Sequence, residues 1–70
     1  MTLEEFKKTR MGAGDKFKYS KDGNIYDIVA LDFDEALFAY WPENQQQETM
    51  WWVRCENVEF IPFKEQANDQ

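Results

Sequence analysis

Seventy residues with one cysteine and no histidine exclude an intrachain disulfide and an ordinary zinc site, so a small core must hold the fold without either brace. The net charge of −6 is split: residues 1–21 carry +3 and residues 22–70 carry −9, which makes the body a poor match for a phosphate backbone and an attractive one for a basic protein. The opening residues lack the basic start, apolar segment and small-residue cleavage site of a secretion signal, and no apolar run nears the ~20 residues that span a bilayer, so the expectation is a soluble, cytoplasmic protein with no membrane association. Twelve aromatic residues are left to carry much of the stability, each large ring burying roughly 150–250 Å² when packed. Association with a second copy or a partner would add to it.

In chain order, Thr2-Leu3-Glu4-Glu5 has capping-box spacing, with acids early and Lys7, Lys8 and Arg10 late, as the helix dipole favours. A short helix over residues 2–10 is expected, ended by Gly12 or Gly14. Leu3 and Phe6 are its apolar anchors, too few for it to persist undocked. Residues 1–13 form this helix and its linker. A strand then opens at Gly14-Asp15, where Phe17 and Tyr19 alternate with Lys16, Lys18 and Ser20, rings inward and lysines outward. Lys21-Asp22-Gly23-Asn24 supplies a tight hairpin turn.

The long run Ile25 to Phe33 is largely apolar in both alternating sets, which fits a strand buried on both faces or, better in a chain this short, one bent at a bulge and shared by two halves of a small barrel. A third strand, from Ala36 through Trp41, is stopped by Pro42. Residues 43–48 form a polar loop. In a fourth strand, Thr49 to Arg54, Trp51 and Trp52 must face opposite ways, so one of them belongs on the surface. Cys55-Glu56-Asn57 makes a turn, Val58 to Ile61 closes as a fifth strand before Pro62, and Lys64 to Gln70 reads as a frayed end.

Five short antiparallel strands with a glycine-aspartate opening and a turn before the last strand resemble the small SH3-like barrel, shared by SH3, Tudor and KOW-type modules. Ala30-Leu31-Asp32-Phe33-Asp34-Glu35-Ala36 looks like the opening motif of SH3 domains, and Trp51-Trp52 with Phe60-Ile61-Pro62 looks like their later tryptophan pair and closing proline segment. The resemblance is one of fold and carries over no peptide-binding residues. It implies a mainly β domain over residues 14–62, a five-stranded antiparallel SH3-like barrel with a short N-terminal α-helix, followed by a flexible tail over 63–70.

Tyr40, Trp41 and one of Trp51 or Trp52, beside Glu43 and Glu48, suit an aromatic platform for a cation, or equally a small core. Asp32, Asp34 and Glu35 place oxygens at a turn, but without the glycine and distant glutamate of a calcium loop, so no metal is assigned. Cys55 lacks an activating histidine and sits beside Glu56, which makes it a packing residue. Paired carboxylates need a cleft with divergent environments to do acid and base work, which a barrel this small rarely encloses, so neither catalysis nor a cofactor is expected. The functional expectation is a non-enzymatic interaction module whose acidic, aromatic surface (Asp32, Asp34, Glu35, Tyr40, Trp41, Glu43, Glu48, Trp51, Trp52) binds a basic protein. Two alternatives compete with it. One is a nucleic-acid binder using Lys7, Lys8, Arg10, Lys16, Lys18 and Lys21; the other is an acidic DNA mimic, of the kind that phages and mobile elements use, occupying the groove of a DNA-binding protein.

Overall fold

The apolar run that begins at Ile25 cannot stay straight, because neither of its alternating sets tolerates water along its whole length. In the computed structural model, which describes residues 1–12 and 14–63, the run breaks at Ile28-Val29 into β2 (Ile25–Asp27) and β3 (Ala30–Asp32). Val29 donates its N–H to the Ala39 carbonyl at 2.9 Å while Ala30 is the residue in register with Ala39, so two residues oppose one, as in a bulge. The remaining elements are an α-helix, α1 (Leu3–Lys8), and the strands β1 (Lys16–Tyr19), β4 (Leu37–Tyr40), β5 (Trp51–Arg54) and β6 (Val58–Ile61), with 3-10 turns at Pro42–Asn44 and Cys55–Asn57.

The fold is mainly β: six strands in two antiparallel sheets, ordered β2-β1-β6 and β3-β4-β5, with one short helix. This corrects the expected count of five, because the bent run contributes a strand to each sheet. It also replaces a single closed ladder by two sheets. Their inner faces meet on the aromatic residues. Phe17 packs against Tyr26, Phe38 and Tyr40 at ring-centroid distances of 5.8, 5.3 and 5.6 Å. Phe6, Phe17, Phe38 and Cys55 are the largest fully buried side chains.

The capping box forms as its spacing requires. The Thr2 hydroxyl accepts from the Glu5 N–H at 3.1 Å and the Glu5 carboxylate accepts from the Thr2 N–H at 2.8 Å. The helix is shorter than residues 2–10, ending where Thr9 turns extended, and of its two expected anchors only Phe6 is buried; Leu3 is exposed. Phe6 is held by Phe33 and Phe38 at 5.6 and 5.4 Å. Past the linker, Gly14 has φ +95°, the left-handed region that favours glycine, and a Cβ there would come within 3.3 Å of the exposed Phe63 ring and push it aside by a few tenths of an ångström. The residues expected to fray, 64–70, lie outside the described residues.

The β1–β2 hairpin turns where Asp22-Gly23 predicts, with Gly23 at φ +74°. The Asp22 carboxylate accepts from the Asn24 N–H at 2.8 Å and from the Tyr26 hydroxyl. These bonds to the charged form, the Tyr26 hydroxyl foremost, hold the Asp22 carboxyl below its ordinary value, and the same bond raises the Tyr26 phenol. A depressed carboxylate stabilises the fold above its unfolded pKa, near 3.9, and loses that contribution as pH falls through the lower folded value. The Asp22→Asn variant is therefore expected to lower the urea midpoint more at neutral pH than in acid, and the Asp22 carboxyl carbon, followed by NMR, to titrate below a free aspartate.

Candidate functional site

Strand alternation and the register of β3, β4 and β5 set six side chains on the outer face of their sheet: Ala30 and Asp32, Leu37 and Ala39, Trp52 and Arg54. Ala39, between Ala30 and Trp52, is fully buried although it faces outward, while Trp52 remains 45 % exposed. Glu35, Leu37, Trp52 and Arg54 line a shallow open depression on this face. The turn from Asp32 borders it. There the Asp32 carboxylate accepts the N–H groups of Asp34 and Glu35, each at 3.0 Å, which ties its oxygen into the turn and leaves the Asp34 and Glu35 side chains exposed. Ala36 closes the turn at φ +58° and is buried, with its carbonyl accepting from the Cys55 N–H at 3.1 Å.

The expected aromatic platform is not a single surface. Tyr40 is 4 % exposed and packs on Phe17, Tyr19, Tyr26 and Trp51, so it belongs to the core and is removed from the candidate site. Both Trp51 and Trp52 are exposed, where one was expected. Trp51 does point to the inner face, but it stands at the end of its strand, with Tyr40 at 6.3 Å as its ring contact, and its outer side remains wet. Trp41 is half-buried beside Asp27, Val29 and Asn44, with its indole Nε1 shielded and unbonded among the described residues. Glu43 lines another depression with Ile25 and Asn44, and Glu48 sits in the exposed loop. Of the nine expected residues, the structure joins Trp52, Glu35 and the rest of the acidic turn. It adds Leu37 and Arg54. Arg54 was legible in principle, two residues past Trp52 on the same strand face; Leu37 needed the β4–β5 register.

The basic residues are interleaved with acids. Lys16 forms an ion pair with Asp27 at 3.4 Å, and Lys18 stands in register with Glu59. Lys8 shares a depression with Glu5 and Glu59, while Lys7, Arg10 and Lys21 are exposed. Cross-strand pairing with carboxylates lowers the local positive potential that counterion release from nucleic acid requires. Cys55 is fully buried, and burial first, then the Glu56 charge, pushes its thiol up, which disfavours the thiolate.

Among the described residues no helix is long and apolar enough to cross a membrane, and no cluster of side chains could hold a metal ion. Comparison with protein-family models, with curated proteins and with solved structures finds no match to this chain.

Proposed function

We propose that this chain is a non-enzymatic interaction module that binds a basic segment of a partner protein through the outer face of the β3-β4-β5 sheet. The observation that carries the reading is the meeting of Trp52 and Leu37 with Glu35 in one open depression at the border of the Asp32–Glu35 turn. A lysine or arginine of the partner would lay its methylenes over Leu37 and the Trp52 ring and direct its charge to Glu35 and Asp34. Arg54 stands across from Leu37 in the same depression and repels a cation at that position, which leaves the Trp52 ring and the acidic turn as its contacts. An SH3-like arrangement is the proposed architecture, supported by the bent β2–β3 run that feeds both sheets and by the 3-10 turn before the last strand.

The test is retention of Lys- and Arg-rich peptides by the folded chain. Trp52→Ala or Glu35→Lys is expected to weaken binding by about tenfold, equivalent to ~1.4 kcal/mol, with the urea midpoint unchanged because both side chains are exposed. Trp41→Ala should leave retention intact. Salt-dependent retention on immobilised DNA, abolished by charge reversal at Lys18 and Lys21, would overturn this reading in favour of nucleic acid.

A further inference from the structure

The strand edges of this protein are treated unequally. In an antiparallel ladder, alternate residues turn their N–H and C=O groups away from the paired neighbour, so every edge strand presents a row of them. On β2 those groups belong to Ile25 and Asp27, since Tyr19 bonds Asn24 across the hairpin and thereby sets the phase. Asn44, held at φ +57°, takes one from each: its Oδ1 accepts from the Asp27 N–H at 2.9 Å and its Nδ2 donates to the Ile25 carbonyl at 3.3 Å. On β6 the outward carbonyl of Val58 accepts from the N-terminal ammonium. β3 itself ends in Asp32, with Asp34 just past it, and these carboxylates repel any acidic strand.

The β5 edge has no such guard. Cys55 donates to the Ala36 carbonyl, which phases the β4–β5 ladder so that Trp51 and Val53 turn to β4 while Trp52 and Arg54 turn their backbone groups outward. Among the described residues nothing takes them up. The strand contains no proline, no lysine and no acid, and it holds the one cation between residues 22 and 63.

We infer that the β5 edge pairs with the β5 edge of a second copy, antiparallel, about a two-fold axis at Val53. That register is the one in which Trp52 of each copy faces Arg54 of the other in a hydrogen-bonded pair, N–H to C=O in both directions. Both side chains then stand on the same outer face, guanidinium beside indole, twice by symmetry. Self-complementarity selects a second copy over an unrelated strand. Two molecules of charge −6 repel over most of their surface, and this strand, which has no acid of its own, brings an arginine from each copy to offset the nearby Glu35. The exposed rings of Trp51 and Trp52 supply apolar area that a four-residue ladder lacks. The pairing joins the two β3-β4-β5 sheets into one, and it holds whether or not Trp52 also receives a basic segment from above.

The experiment is sedimentation of the full chain from low micromolar to near-millimolar concentration, with amide hydrogen exchange at both ends of the range. A concentration-dependent dimer is expected. The amides of Trp52 and Arg54 gain protection as it forms, while Val53, bonded to β4, is protected throughout. Arg54→Glu, an exposed change checked for folding by its urea midpoint, weakens the dimer by about tenfold or more. Arg54→Lys weakens it less. A monomer at near-millimolar concentration, a dimer whose Trp52 and Arg54 amides exchange freely, or a dimer indifferent to Arg54→Glu overturns the inference.

Discussion

Phe17→Ala is expected to destabilise the domain by about 3–5 kcal/mol, enough to abolish cooperative unfolding at room temperature. The ring is fully buried and touches both sheets at once, with Tyr26 on its own sheet and Phe38 and Tyr40 on the facing one. Removing it deletes the transfer free energy of a large ring and leaves a hole that these three neighbours cannot all collapse into. A 70-residue chain has little surplus with which to absorb the loss. Urea unfolding followed by tryptophan fluorescence is the measurement. Phe17→Leu, which keeps most of the volume, should recover much of the stability; equal loss in both variants would show that the ring contacts, and not the filled volume, hold the sheets together.

Phe6→Ala is expected to cost about 3 kcal/mol or more, and to do so in a different pattern. Six residues of helix are too few to persist in water even with a complete capping box, so docking through Phe6 is what keeps α1 formed. Without the ring, the amides of residues 5–9 should lose hydrogen-exchange protection before those of β1 and β4 do, and Phe38 should lose its edge-on neighbour. Leu3→Ala is the internal comparison: that side chain is exposed and its removal should change the urea midpoint little. Helix amides that stay protected in Phe6→Ala would mean that the cap and the N-terminal ammonium on Val58 suffice to hold the segment.

The candidate site divides in the same way between what is local and what is not. Tyr40 and Trp52 read alike in the sequence, as large rings next to other rings on neighbouring strands. Only the pairing of Tyr40 with Trp51 and its tilted contact with Tyr26 at 4.4 Å, against the pairing of Trp52 with Ala39 on the outer face, separates a core ring from a surface one. Sequence distance also misled for Glu43 and Glu48. They flank the aromatics along the chain, but the carboxylate that accompanies Trp52 in space is Glu35, brought over from the β3–β4 turn by the hairpin.

What the sequence determines by itself is local chemistry: the capping box at Thr2 and Glu5, the positive-φ turn at Gly23, the alternation of Phe17 against Lys16 and Lys18, and the closing strand between Asn57 and Pro62. Each depends on residues within a turn of one another, and its energetics are settled before the chain folds. The tertiary structure decides the rest: where the apolar run breaks, which sheet each half joins, that Trp51 and Trp52 both reach the surface, and that Asn44 covers one strand edge while β5 stays open. Alternation says which side chains share a face, but not which face turns inward. That choice is made by burial summed over strands far apart in the chain, where an apolar run needed on both sides of a core must bend to serve two sheets.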